Sequence, residues 1–328
     1  MNYRILGRSG VSVSEIGFGA WALGGGWGAQ PEEESLAALH QAIDLGVNFI
    51  DTAAGYGDGH SERIIGQVLK QRSEKIFVAT KTPPAAGPWP PSPYCTVEER
   101  YSEKYLRDNV EQRLRNLGVD TIDLLQLHTW TRAWNKNPRP LDTLKKLQAE
   151  GKIRYIGIST PEQDQNSVID LMRRGYLDTV QVIYNIFEQE PAAELLPAAL
   201  ECRVGVIVRV VFDEGGLTGK FRRGQQFPAD DFRSQYFQGD RVDRVVDRVE
   251  QIQEDVRRIA PDRHLTMPEV AILFALSHPA VSSVIPGIRN PAQARANTAV
   301  SGLAPLPEAL RLKLREHAWL RGVWYSGK

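Results

Sequence analysis

The stretch Val47-Asn48-Phe49-Ile50-Asp51-Thr52-Ala53-Ala54-Gly55-Tyr56 ends an apolar run on an acid and turns at once into a small-residue loop carrying a phenol. The same plan recurs twice downstream. Ile-Phe-Val-Ala-Thr-Lys at 76–81 ends on Lys81, and Ile-Asp-Leu-Leu-Gln-Leu-His at 122–128 ends on His128. Short apolar, β-branched runs of this length read as buried strands, and buried parallel strands belong to α/β architectures. Asp51, Lys81 and His128 thus stand at the C-terminal ends of three successive strands, with Tyr56 in the turn after the first. In a barrel of parallel strands that end carries the active site.

Working outward, further β-branched runs fall near 16–20, 153–158, 179–183, 204–210 and 281–285. Between the runs lie stretches of helical periodicity at 32–45, 60–71, 102–117, 141–150, 162–174, 192–200 and 291–300. Thr160-Pro161 suits a helix start at 162, and Gly46, Gly118, Gly151 and Gly175 suit helix ends. Eight strand–helix units predict a (β/α)8 barrel, preferred over a doubly wound sheet. Residues 3–14 read as a hairpin turning at Ser9-Gly10 in front of the barrel. The long connection at 211–260 holds a charged helix over 242–259, and 305–328 form an appended tail. With no linker and no fixed-period repeat, residues 1–328 are expected to form one domain.

Composition narrows the class of function. Forty basic residues balance forty acidic ones, which argues against a nucleic-acid binder, since such proteins carry a basic excess. Two cysteines, Cys95 and Cys202, make no disulfide framework, and no Cys/His cluster has metal spacing, so no metal is expected. The chain opens without an apolar signal core and has no membrane-span-length run, which points to a reducing cytoplasm and no membrane partner.

The four residues suit reduction of a carbonyl, which needs a hydride at carbon and a proton at oxygen. A phenol titrates near ~10, and an adjacent ammonium favours phenolate, so Lys81 is expected to tune Tyr56 downward. Asp51 would hold Lys81 charged, and His128 would orient the substrate oxygen. The bland alternatives are a structural Asp–Lys ion pair, a satisfied histidine and a loop-anchoring tyrosine.

Together these fragments resemble the aldo-keto reductase superfamily. The match runs through Gly19-Ala20-Trp21, Asn48–Gly57, Ser61-Glu62, Lys81 and Leu127-His128. It continues through Gly151–Ser159, Gly216–Phe221 and Ile285-Pro286-Gly287. It covers essentially the whole chain in order and is similar to the shorter-loop bacterial branch that includes potassium-channel β-subunits. The resemblance implies a TIM barrel that binds a nicotinamide dinucleotide without a Rossmann fold. The chain indeed has no Gly-x-Gly-x-x-Gly between a strand and a helix.

The same resemblance implies that Ser159 and Gln181 contact the nicotinamide carboxamide, beside Trp21. Where relatives commonly have Asn after that Ser, this chain has Thr160, and Arg209 replaces a stacking Tyr or Trp. A guanidinium plane stacks as well and adds charge, although a pairing of Arg209 with Asp213 or Glu214 is the structural alternative. Gly216, Gly219 and Lys220 are implied at the pyrophosphate, and Arg233 at a further phosphate-side position. Gly287, Arg289, Gln293 and Asn297 match an adenosine-binding run, and the fork of Arg289 suits a 2′-phosphate, so NADPH is expected over NADH.

Trp21, Trp89 and Trp130 are the expected substrate-pocket walls, among further mouth aromatics Trp27, Tyr94 and Trp134. The expected activity is NADP-dependent reduction of aldehydes or ketones, or the reverse, with a small carbonyl or alcohol as partner. Alternatives at the same site are a sugar or polyol dehydrogenase, a redox-neutral epimerase and a cofactor-bound regulatory subunit.

Overall fold

The computed structural model describes residues 1–26, 28 and 30–319; Trp27 and the tail beyond Trp319 lie outside them. The described residues form ten strands: β1 (Tyr3–Ile5), β2 (Ser12–Ser14), β3 (Phe18–Gly19), β4 (Phe49–Asp51), β5 (Phe77–Thr82), β6 (Ile122–Leu127), β7 (Ile153–Ser159), β8 (Thr179–Ile183), β9 (Gly205–Arg209) and β10 (Val281–Val284). Strands β3 to β10 pair in parallel, each with its neighbour in sequence. The two outer edges also meet. Gly17 N–H donates to the Val284 carbonyl at 2.8 Å and Gly19 N–H to that of Pro286 at 3.0 Å. A side chain at Gly19 would stand 2.7 Å from the Ile285 carbonyl oxygen, so only glycine admits this closure. The expected (β/α)8 barrel is what the chain forms.

The helices between strands are α1 (Glu32–Asp44), α2 (His60–Gln71), α3 (Val97–Tyr101), α4 (Glu103–Leu117), α5 (Arg139–Ala149), α6 (Ile169–Arg173), α7 (Leu195–Cys202), α8 (Arg233–Tyr236), α9 (Arg241–Ile259) and α10 (Met267–Leu276), and α11 (Pro291–Ala299) and α12 (Glu308–Arg315) follow the last strand. Gly46, Gly118, Gly151 and Gly175 all take positive φ just beyond α1, α4, α5 and α6, as expected of C-terminal glycines. The helix anticipated from Thr160-Pro161 is corrected. Thr160 Oγ1 bonds the Gln181 carbonyl instead of capping, and a 3-10 turn at Gln165–Val168 precedes the short α6.

Period-two alternation sorts each barrel strand into two faces. Ile50, Val78, Leu125, Val206 and Val208 face the helical layer in one large core that runs from Ile16 to Leu314. Phe49, Phe77, Ala79, Leu124 and Ile207 fill the barrel interior with Leu6 and Val13 of the β1–β2 hairpin, which closes its floor. Two residues further along the same inward faces come Asp51, Lys81, Gln126 and Arg209. The interior is therefore apolar at its base and ionisable at its top.

Ser61-Glu62 fixes the start of α2 under that upper layer. Ser61 Oγ bonds the Ala20 carbonyl at 3.1 Å. Fully buried Glu62 accepts from Thr80 Oγ1 at 2.6 Å, Arg113 Nε at 2.7 Å and Asn116 Nδ2 at 2.8 Å. Burial raises the Glu62 pKa, with Arg113 the main opposing charge. Arg113→Leu should therefore leave a buried carboxylate without its counter-ion and cost about 3–5 kcal/mol of stability, read from urea unfolding. A loss below about 1 kcal/mol would contradict this role.

Candidate active site

At the upper end of the barrel, Lys81 is wholly buried and its ammonium has three partners. Lys81 Nζ donates to Asp51 Oδ1 at 2.5 Å, to the Thr52 carbonyl at 2.9 Å and to the Tyr56 hydroxyl at 3.2 Å. The loop that carries Tyr56 is anchored over Lys81 by Ala54 N–H on the Lys81 carbonyl at 3.0 Å. Gly24 packs on this loop so closely that an added Cβ would lie 2.5 Å from the Tyr56 carbonyl carbon. Across the opening, the His128 ring meets Tyr56 edge to face, with centroids 6.0 Å apart. The three strand-end residues and the loop tyrosine singled out in the sequence are thus brought together.

Electrostatics refine the expected tuning. Burial raises the Tyr56 pKa above its ordinary 10, and the Lys81 charge opposes burial without overcoming it. The sequence-based expectation of a net downward shift is corrected: Tyr56 is held as a neutral phenol. Burial works against the Lys81 ammonium too, but Asp51 and Tyr56 outweigh it and leave the lysine above its usual range. Burial, then the charges of Lys81 and Arg209, press His128 well below 6.5, so its imidazole is neutral at physiological pH.

Gln126 escaped the sequence reading. Its Nε2 donates to Asp51 Oδ2 at 3.1 Å, beside that of Gln181 at 2.7 Å, so two buried amides saturate the carboxylate oxygen facing away from Lys81. The signal was one polar residue in the apolar run Leu124-Leu125-Gln126-Leu127, two positions before His128. Gln181 therefore supports Asp51, whatever else it contacts.

The remaining residues singled out earlier follow the mouth in strand order. Ser159, the last residue of β7, is the register partner of Gln181 in the middle of β8. Arg209 ends β9 and pairs with Glu162 at 3.0 Å, which corrects the alternative pairing with Asp213 or Glu214. Gly216 and Gly219 bracket a 3-10 turn, and Lys220 is exposed after it. Arg233 is gripped by Asp231, its Nη2 on Oδ2 at 2.5 Å. Gly287 follows β10, and Arg289 N–H bonds Gln293 Oε1 at 2.8 Å while its Nε bonds Gln30 Oε1 at 2.8 Å. Gln293 and Asn297 lie one turn apart on α11.

Of the tryptophans, Trp89 is 55% exposed and sets its ring edge to face on His128 at 5.5 Å. Trp21 is half-buried against Phe232 at 5.5 Å. Trp130 is corrected as a pocket wall. It is 1% exposed, its indole N–H bonds Asn135 Oδ1, and its ring packs on buried Trp134. Tyr94 is almost fully exposed.

These residues fit a nicotinamide dinucleotide. Ser159 on β7, Gln181 on β8, Arg209 at the end of β9 and Arg289 beyond β10 come from successive strands of the sheet, next in order after β4 to β6, which carry Asp51, Lys81 and Gln126. The Arg209 Nε is a buried donor with no partner among the described residues. Gln181 links this set to the Lys81 site, since its amide bonds the Asp51 carboxylate that holds the lysine.

Comparison with known proteins agrees. The family model described as "Aldo/keto reductase family" matches residues 15–316. Aldo-keto reductase YhdN of Bacillus subtilis (strain 168) is 31% identical over 92% of this chain and 89% of its own. The NADH-specific methylglyoxal reductase of Escherichia coli (strain K12) is 30% identical over 95% and 97%. The solved glycerol dehydrogenase AKR11B4 from Gluconobacter oxydans superposes with a TM-score of 0.79 at 28% identity, over 96% of this chain and 94% of that one. Barrel, strand-end chemistry and full-length similarity converge: the chain belongs to the aldo/keto reductase family of oxidoreductases.

Proposed function

We propose that this chain works as one barrel domain over residues 1–328 and reduces aldehydes or ketones to alcohols, or runs the reverse, with NADP(H). The observation that carries the reading is the Lys81 ammonium bridging Asp51 Oδ1 and the Tyr56 hydroxyl, with His128 facing Tyr56 across the opening. When bound, the nicotinamide supplies the hydride. Tyr56 supplies the proton to the carbonyl oxygen; as a neutral phenol at physiological pH it is loaded for that step. Lys81 lies against the same hydroxyl, so its charge stabilises the phenolate left behind. Neutral His128 donates a ring N–H to the substrate oxygen and holds it near Tyr56. Asp51, held by Gln126 and Gln181, keeps Lys81 charged and in place.

Ser159, Gln181 and Arg209, with Trp21 beside them, are proposed to hold the nicotinamide end. Gly216, Gly219, Lys220 and Arg233 are proposed at the phosphates, and Gly287, Arg289, Gln293 and Asn297 at the adenosine end. Trp21 and Trp89 are the proposed substrate walls. Relatives with names such as methylglyoxal reductase and glycerol dehydrogenase support small carbonyls, alcohols or sugars as substrates. Free thiols at Cys95 and Cys202 suit a reducing cytoplasm, and among the described residues no helix is long and apolar enough to cross a membrane.

One relative is NADH-specific, so the preference for NADPH rests on Arg289. Its guanidinium sits just before α11, where a bidentate fork would meet a 2′-phosphate. Arg289→Ala should raise the Kd for NADPH about ten- to hundredfold and that for NADH less than about threefold, since a charged hydrogen bond is worth roughly 1.5–3 kcal/mol. Equal losses for both would remove the 2′-phosphate assignment. The whole reading is tested by NADPH oxidation across simple aldehydes, ketones and open-chain sugars. Tight cofactor binding without turnover on any of them would instead favour a redox-neutral or regulatory role.

A further inference from the structure

The loop from Pro83 to Pro93 carries six prolines in eleven residues. Proline has no N–H to donate, so such a loop cannot satisfy its own carbonyls and has to be tied from outside. One buried side chain supplies two of the ties. Arg100, 4% exposed on α3, donates Nε to the Ala85 carbonyl at 2.9 Å and Nη1 to that of Pro88 at 3.1 Å. Ala85 N–H returns a bond to the Arg100 carbonyl at 2.8 Å. The loop backbone lies so close on the guanidinium that a Cβ at Gly87 would stand 2.7 Å from Nη1. A buried charge is thus used to place backbone, and the rigid fork of arginine can hold two carbonyls at once.

Helix α3 is itself anchored to the strands of the site. The Tyr101 hydroxyl reaches the carbonyls of Thr82 at 3.4 Å and Thr129 at 3.3 Å, the residues that follow Lys81 and His128. Both roots of the loop are held as well. The Tyr105 hydroxyl donates to the Pro83 carbonyl at 3.0 Å, and the Trp134 indole N–H to that of Cys95 at 3.0 Å. Trp89 comes directly after the second Arg100 contact. Although half exposed, its ring meets His128 edge to face, with the planes 82° apart. The loop therefore delivers one large indole beside the imidazole and leaves much of its surface open.

We propose that Arg100 is a positioning residue for substrate selection: it fixes the proline-rich loop so that Trp89 stands beside His128 as a platform for carbonyl substrates bearing a flat apolar group, an aryl ring above all. This rests on the reading that His128 holds the substrate oxygen. A carbonyl held there presents its substituent to the open indole surface, where an aryl ring gains both buried area and a favourable ring–ring contact. A short aliphatic aldehyde gains little of either. The prolines keep the loop stiff, so little ordering is left to be done when the substrate arrives.

The test compares kcat/KM for 4-nitrobenzaldehyde and for propanal, with NADPH, in the full chain. The aryl-to-propanal ratio should fall about five- to thirtyfold in Trp89→Ala, through KM for the aryl substrate. Arg100→Met should give a similar fall, and adding it to Trp89→Ala should lower the ratio no further, because the arginine acts through the indole. A merely structural role would slow both aldehydes alike and leave the ratio where it was. Gly87→Ala, which crowds the guanidinium from the loop side, takes the place of Arg100→Met should that variant fold poorly. An unchanged ratio in Trp89→Ala or in the Arg100 variant (or its replacement), or losses that add in the double variant, overturns the proposal. Calorimetric binding of 4-nitrobenzyl alcohol to the NADP+-loaded protein separates the two ways of failing. If neither aldehyde turns over but the same variants weaken this binding about five- to thirtyfold, the reductase reading falls and the role of Arg100 stands. If both aldehydes turn over and neither readout responds to the variants, only the role of Arg100 falls. Absence of both turnover and any effect on binding removes both.

Discussion

Tyr56→Phe is expected to lower carbonyl turnover by about 10²–10⁴-fold, the range over which a positioned general acid contributes, while cofactor affinity stays within about twofold. The substitution removes one oxygen from a half-buried ring, and the Lys81 ammonium keeps Asp51 Oδ1 and the Thr52 carbonyl as partners. Steady-state NADPH oxidation with a reactive aldehyde reads the first effect, and fluorescence titration of the cofactor reads the second. A near-normal rate would end the acid assignment. The pH profile supplies an independent check with a definite sign. Because the Tyr56 pKa lies above 10, the phenol is protonated throughout pH 6–8. Reduction should therefore be flat there and fall only at alkaline pH, as the proton is lost. Alcohol oxidation needs the phenolate and should climb with pH over the same range.

Lys81→Met should abolish activity and also destabilise the fold. It deletes the charge that offsets burial at Tyr56, so the phenolate becomes still less accessible. It also strands Asp51, 2% exposed, with only the amides of Gln126 and Gln181. Breaking a buried ion pair from one side costs about 3–5 kcal/mol. Adding Asp51→Leu should recover much of that stability without recovering turnover, since the pair then leaves together. Chemical unfolding of the single and double variants measures the first, and aldehyde reduction the second. Full activity in Lys81→Met would contradict the tuning role, and unchanged stability would contradict the burial argument.

The longest helix that escaped the sequence reading did so for a physical reason. Met267–Leu276 is buried on almost every side, so it has no polar face and no amphipathic period to detect. Its capping box, Thr266 with Glu269, was the remaining local signal. Thr160-Pro161 misled in the opposite direction. A sound local cap lost to the bond between Thr160 Oγ1 and the carbonyl of Gln181, a partner twenty-one residues away. Trp130 failed for a similar reason: its position after His128 suggested the mouth, but Asn135 and Trp134 turn it into the core.

Strand and helix order, the hairpin under the barrel and the candidates Asp51, Tyr56, Lys81 and His128 were legible in sequence because they depend on local periodicity and on which residue ends each apolar run. Three things were not legible: the saturation of Asp51 by Gln126 and Gln181, the pairing of Arg209 with Glu162, and the sign of the Tyr56 shift. Each depends on distances between residues remote in the chain and on how completely water is excluded around them. A phenol beside an ammonium reads as acidic when solvated, and burial reverses that sign only once the barrel has closed over both.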